Sequence, residues 1–340
     1  MDWMLFEQLD RLRRAQGALL DAGGWRSREA PYRVVHEQAG IALRRYDGGE
    51  GSPVVLIVPA PIKGPYLWDL DPEVSVVRRL LERALQVYVL EWRAAPPDYG
   101  LEQYGERLIV GCLDAVGAAR AVLLGHSLGG LLAAIFATLH PERVSGLGLL
   151  AAPLHFGADT PVLNALVAEL NIEALPDSLP GSFLSVASAN AAPAVFGVER
   201  ALDAALSAAD PVRLRIHLLV ERWSLDELAL PRRLVAELAT QCIRDDRFVR
   251  GALQIGGRIA APSRLEAPVL CVMDNGCPLV PPAAILPFLD AVASRDKTVL
   301  AYERDVGVAL QHVGPLVARS AHAHLWPRIL DWIERVGAPA

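Results

Sequence analysis

The run Val54-Val55-Leu56-Ile57-Val58 is apolar at every position, and no other feature restricts the fold of this chain as strongly. A strand with one wet face alternates apolar and polar side chains. An unbroken run is apolar toward both faces, so it belongs in a sheet covered on both sides, which is the habit of parallel sheets. The pattern downstream agrees. A helix over about 73–84 precedes the strand Val87–Trp92, and a second over about 101–116 precedes Ala121–Leu124. A third, over about 129–139, precedes Val144–Leu150. Alternation at this spacing predicts an α/β fold, a mainly parallel sheet flanked by helices.

The rest of the chain fits around that unit. Tyr32–Glu37 and Ile41–Tyr46 read as strands joined across Gln38-Ala39-Gly40. From about 154 to 262 the rhythm breaks into a mostly helical stretch rich in Ala and Leu and interrupted by Pro and Gly. Val269–Met273 and Thr298–Tyr302 resume the strands, and a helix over about 325–335 closes the chain. The expected division is therefore an N-terminal helical segment (1–30), a core (31–153 and 263–340) and an inserted helical cap (154–262). In the first segment Leu5, Leu9, Leu12 and Leu19 recur at helical spacing over residues 2–22, and Gly23-Gly24 ends the helix. That stripe has two places to dock: the chain's own domain, the commoner outcome, or a second subunit in a homodimer.

Composition excludes several classes. With 33 basic against 39 acidic residues the net charge is −6, so the basic surface of a general nucleic-acid binder is missing. The four cysteines form no CxxC pair, and a reducing cytoplasm is the simplest setting. The N-terminus mixes acidic residues with an arginine cluster, unlike a signal peptide. No apolar stretch reaches the roughly 18 residues of a spanning helix, so a soluble, cytoplasmic protein without a transmembrane segment is expected.

Chemistry concentrates at Gly125-His126-Ser127-Leu128-Gly129-Gly130, between the strand Ala-Val-Leu-Leu and an Ala/Leu-rich helix. A nucleophile elbow needs these flanks: a tight strand-to-helix turn lifts the serine oxygen above the sheet, with the helix N-terminus behind the developing negative charge. A serine hydroxyl needs a base within hydrogen-bond reach. In such folds the histidine follows the last strand, where His312, His322 and His324 are candidates. His312 lies in the loop and is best placed, whereas His322 and His324 fall at the last helix. An HxH metal site there lacks further ligands. His126 is expected to shape the pocket rather than act as base.

Beyond the serine, the chain resembles the polyhydroxyalkanoate synthase branch of the α/β-hydrolases. The resemblance rests on Leu56-Ile57-Val58-Pro59-Ala60-Pro61-Ile62-Lys63, Tyr66-Leu67-Trp68-Asp69-Leu70 and Glu91-Trp92-Arg93. It continues through Trp223 to Leu230-Pro231, Gly251-Ala252-Leu253-Gln254-Ile255-Gly256-Gly257, His312-Val313-Gly314 and Trp326-Pro327-Arg328-Ile329. It implies the α/β-hydrolase fold with an inserted helical cap over roughly residues 30–335. Three departures follow. Members that polymerise hydroxyacyl-CoA carry cysteine where this chain has Ser127. A thiolate exchanges acyl groups with thioesters at little cost, whereas a serine ester is open to water, so the serine tilts expectation toward hydrolysis or acyl transfer. The family's acid aligns with Cys277, which leaves Asp274 as first candidate for a relocated acid and Asp305 as the alternative. In the oxyanion hole the Leu128 N–H is one donor; because Pro59 and Pro61 have no N–H, Ile62 or Ala60 supplies the other, with Ile62 slightly favoured.

The expected function is a serine hydrolase or acyltransferase working through an acyl-enzyme on an ester or acyl thioester, CoA-linked or carrier-protein-linked, without a cofactor or metal. A polymerising acyltransferase and a degenerate hydrolase kept as a binding partner are the competing readings.

Overall fold

In the computed structural model, which describes residues 2–49, 53–168 and 170–338, eight strands form one sheet. They are β1 (Tyr32–Gln38), β2 (Ile41–Tyr46), β3 (Val54–Val58), β4 (Gln86–Trp92), β5 (Ala121–His126), β6 (Val144–Leu150), β7 (Val269–Met273) and β8 (Lys297–Ala301). The spatial order is β1-β2-β4-β3-β5-β6-β7-β8. β1 pairs antiparallel with β2 and β2 with β4; every other neighbour is parallel.

The apolar runs make this sheet two-faced. Leu56, Val58, Leu123 and Leu147 pack on one side with Ile109 and Leu113 of α1 (Leu108–Val116) and Ile135 of α2 (Leu128–Leu139). Val55, Ile57, Val122 and Leu124 pack on the other with Leu80 and with Trp332 and Ile333 of the C-terminal helix Trp326–Gly337. Every side chain of β5 and β7 is buried, so a strand with a polar alternate position would lose hydration on one face. The helix expected over 101–116 is interrupted. Gln103–Arg107 form a wider π-type turn that hands over to Leu108–Val116.

Between β6 and β7 the chain leaves the sheet. Helices Pro161–Ala168, Gly181–Ala191, Arg200–Ser207, Pro211–Ser224 and Arg232–Glu237 form the insert, which returns through the short ribbon Leu253–Ile255 with Arg258–Ala260. Among the described residues no single helix is long and apolar enough to cross a membrane.

The N-terminal helix, Trp3–Ala22, docks on this insert by a different face from the leucine stripe. Trp3 and Phe6 meet the Phe183 ring, each at 5.4 Å between centroids. Asp10 Oδ1 accepts the Ser182 N–H at 2.8 Å, and Arg222 grips both oxygens of Asp21 at 2.8 Å. Leu5, Leu12 and Leu19 instead face solvent at 60%, 56% and 74% exposure. Aromatic contact and matched charges chose the docked face, which counting leucines does not detect.

One of the tight backbone approaches in the core is at the start of α2. A Cβ on Gly129 would stand 2.2 Å from the Val58 carbonyl oxygen, so the helix can sit against β3 only without a side chain there. Gly129→Ala is expected to cost about 1–3 kcal/mol through this overlap, read as a lower urea midpoint at unchanged slope. An unaltered midpoint would mean that the helix start relaxes freely.

Candidate active site

β5 ends at His126, and Ser127 turns the chain directly into α2. Its backbone sits at φ +52° and ψ −132°, a region that L side chains avoid. Such a conformation costs on the order of 1–3 kcal/mol and persists only where its surroundings impose it. The imposing contacts are the Ser127 N–H bond to the Leu150 carbonyl at 3.0 Å and the Gly130 N–H bond to the Ser127 carbonyl at 2.9 Å. Leu128 is the first residue of the helix, where N–H groups have no intrahelical acceptor.

His312 lies beyond β8, in the short helical turn Gln311–Val313. His126 holds it by the backbone: Nε2 donates to the His312 carbonyl at 2.9 Å, which fixes the proton on that nitrogen. The two rings lie 4.8 Å apart and tilted by 45°. Burial keeps both imidazoles neutral. It pushes His126 down to about 4 against the partial support of its bond to the His312 carbonyl. His312 falls well below its ordinary value, first through burial and then through repulsion from His126.

The atom facing His312 Nδ1 is the Cys277 Sγ, 3.9 Å away. That thiol also accepts the Val280 N–H at 3.4 Å, and burial raises its pKa, so it stays protonated. Neither sequence candidate for the acid is at the ring, which corrects both. The Asp274 carboxylate accepts the Gly276 N–H at 2.8 Å and pairs with Arg304 Nε at 3.2 Å. It serves its own turn. Asp305 accepts the Val306 and Ser320 N–H groups at 2.8 and 3.0 Å. Among the described residues no carboxylate hydrogen-bonds His312. His322 is buried and donates from Nε2 to the Leu316 carbonyl at 2.8 Å.

Ser127, Leu128, Ala60, Ile62, His126 and His312 line one cavity of about 440 Å³, without a hydrogen bond between Ser127 and His312. Trp92 Nε1 bonds the Pro59 carbonyl at 2.7 Å and anchors the loop after β3. Much of the remaining wall is apolar, with Leu163, Leu166, Phe183 and Phe196 coming from the insert, while Arg13 and Arg200 also reach the cavity. Lys63 stands at one side, bonded to the Ser224 carbonyl at 2.6 Å and facing Glu227; burial lowers its pKa to about 8. Sequence reasoning missed the Trp223 bond to the Gly64 carbonyl and the Tyr66–Asp226 bond, at 2.9 and 2.7 Å, which tie this loop to the insert. Their only sequence signal is the presence of aromatics with a polar tip.

A mostly parallel eight-stranded sheet in this order, with a serine on the strained turn after β5 and a histidine after the last strand, is the α/β-hydrolase fold. The family described as alpha/beta hydrolase fold matches residues 90–213. The poly(3-hydroxyalkanoate) polymerase subunit PhaC of Haloarcula marismortui is 28% identical over 326 residues, covering 89% of this chain and 67% of its own. The PhaC of Allochromatium vinosum is 26% identical over 350 residues, covering 98% and 97%. A solved hydrolase from Pseudomonas aeruginosa superposes with a TM-score of 0.55 at 18% identity, covering 89% of this chain and 97% of its own. The chain has the α/β-hydrolase fold and is similar to PhaC, which supports hydrolase or acyltransferase as its general class.

The buried imidazoles give this fold an acid limit. His126 and His322 are held down to about 4 by burial when folded, whereas unfolded histidine titrates near ~6.5. Between those values the unfolded chain binds more protons, so unfolding free energy rises with pH there. Stability is expected to be full above about pH 6.5 and to fall as the pH drops toward 4, each unit of separation being worth about 1.4 kcal/mol per histidine. Urea midpoints across that range read it; a flat profile contradicts the neutral buried rings.

Proposed function

We propose that this protein is a serine hydrolase or acyltransferase that works through an acyl-enzyme on apolar acyl esters or thioesters. The observation that carries the reading is the convergence of the strained Ser127, the Leu128 end of α2 and His312 on one apolar cavity. With Nδ1 toward Cys277, the His312 Nε2 is the nitrogen left for serine. Nε2 takes the Ser127 proton as Oγ bonds to the carbonyl carbon. The oxyanion receives the Leu128 N–H and one from Ile62 or Ala60. Collapse of the intermediate expels an alcohol or thiol, which takes the proton back from Nε2, and leaves the acyl group on Ser127. Water or a second alcohol, deprotonated by the same nitrogen, then attacks and frees the serine. No cofactor enters the cycle. The insert shapes the acyl site, and its apolar side chains suit a hydrocarbon chain.

A second reading is polymerising acyl transfer, favoured by the likeness to PhaC along 98% of the chain. The acceptor would then be the hydroxyl of a growing oligoester. Product analysis with a hydroxyacyl-CoA separates the two. Free acid and CoA are expected, and lengthening oligoester would favour the polymerase.

Ser127→Ala and His312→Ala are each expected to lower kcat by about a thousandfold or more with the fold intact by circular dichroism. Wild-type protein should label with a fluorophosphonate and the Ser127 variant should not. Wild-type turnover in either variant, or a folded protein that never labels, would sink the acyl-enzyme and leave a binding role.

Cys277→Asp adds the carboxylate that Nδ1 lacks. It is expected to raise the apparent pKa of the base and to increase kcat about tenfold, since a carboxylate stabilises the imidazolium that a neutral thiol cannot. The pH–rate profile reads both effects. An acid limb that does not move would show that Cys277 is remote from the working imidazole.

A further inference from the structure

The loop that carries His312 is held in an unfavourable shape. Between β8 and the Gln311–Val313 turn, Gly307 sits at φ +95° and Ala309 at φ +56°. For alanine that region is disfavoured by its Cβ, so something outside the loop must impose it. The imposing group is Asp203, on the insert helix Arg200–Ser207. Its Oδ1 accepts the Gly307 N–H and its Oδ2 the Ala309 N–H, both at 2.8 Å. Oδ2 also accepts Nδ1–H of His217, on the next insert helix, at 2.6 Å. Both side chains are buried. Burial opposes ionisation of Asp203, yet the bonds from His217 and the two amides outweigh it and hold the carboxyl below its ordinary range.

A carboxylate spent on two backbone amides three and five residues before the base has a specific consequence here. The His312 ring has a thiol, not a carboxylate, at Nδ1. Its placement is therefore left to the backbone, which is pinned from one side by the His126 bond to the His312 carbonyl and from the other by the Asp203 clamp. A Cβ on Gly307 would stand 2.9 Å from the Arg213 side chain, so the loop lies hard against the insert at this point.

We infer that Asp203 is the positioning carboxylate of this site, acting on the His312 loop through the Gly307 and Ala309 amides and not on the imidazole; the inference rests on the serine–histidine reading above. It makes the insert a part of the catalytic geometry as well as a wall of the acyl cavity. A change in the packing of Arg200–Ser207 is transmitted to the base through two hydrogen bonds.

The test is Asp203→Asn in the full chain, beside His217→Gln. Asparagine keeps the shape but turns an NH2 toward one of the two amides, so one clamp bond is lost. Glutamine at 217 can still donate to Asp203 and leaves both amides bonded. Expected for D203N are faster hydrogen exchange across residues 305–313 and a kcat lower by about a hundredfold, with KM within about threefold of wild type. H217Q should keep kcat within about threefold even if its urea midpoint falls, because a merely structural role would act through stability alone. D203N turnover near wild type, or an equal loss of kcat in H217Q, overturns the inference. If D203N does not fold, the wild-type exchange pattern decides: Gly307 and Ala309 amides that exchange as fast as free loop amides overturn the clamp, and slow ones uphold it. Wild-type turnover that survives Ser127→Ala is a different failure. It removes the acyl-enzyme reading, and the catalytic part of this inference with it, while exchange still reports whether the clamp exists.

Discussion

The site depends on how closely the first turn of α2 can lie against the sheet. Gly129 stands against the Val58 carbonyl and Gly130 against the Ala152 side chain, and neither gap would admit a Cβ. Only that approach lets the chain turn from strand to helix in one residue, and Ser127 takes the conformational strain of doing so. The cost is offset by a sheet buried on both faces. In the proposed reading the same turn points the helix N-terminus at the place where negative charge would grow, so one constraint would supply both the nucleophile and its electrostatic partner.

Electrostatics at the other half of the site run in an unusual direction. Around His312 stand a second imidazole and a thiol, with no carboxylate hydrogen-bonded to the ring among the described residues. In that setting neutral forms win: burial lowers the imidazole pKa values and raises that of Cys277. A neutral imidazole is the form that can accept a proton, so in the proposed reading His312 would be ready to act as base at ordinary pH. The protonated form that follows is less well supported than in a site with a carboxylate at Nδ1. The burden of holding the ring falls on the main chain, which is why the hydrogen bonds of His126 and Asp203 to backbone groups acquire weight.

The strands were the most legible elements because burial on both faces writes them as apolar runs. β3 and β7 end where those runs end, at Pro59 and Asp274, while β5 continues through Gly125 and His126 because its neighbours β3 and β6 continue beside it. The N-terminal leucine stripe misled. Leucine at helical spacing marks an apolar face but does not say whether that face is covered, and here Trp3, Phe6, Asp10 and Asp21 made better contacts with the insert. Asp274 misled for a related reason. It stands near the end of β7, but Arg304, thirty residues later, and its own turn claim both oxygens.

What the sequence by itself determined is whatever depends on neighbours along the chain: the two-faced strands, the Gly-His-Ser-Leu-Gly-Gly turn, the absence of a carboxylate at 277. Those are matters of local sterics and of periodicity, and they are written in consecutive residues. Only the tertiary structure decided which groups meet His312, because the partners come from segments 35 and 186 residues away. The same holds for Asp203, which meets Gly307 across 104 residues. Such contacts are selected by the packing of whole elements, where every buried donor must find an acceptor, and that accounting closes only once the chain is folded.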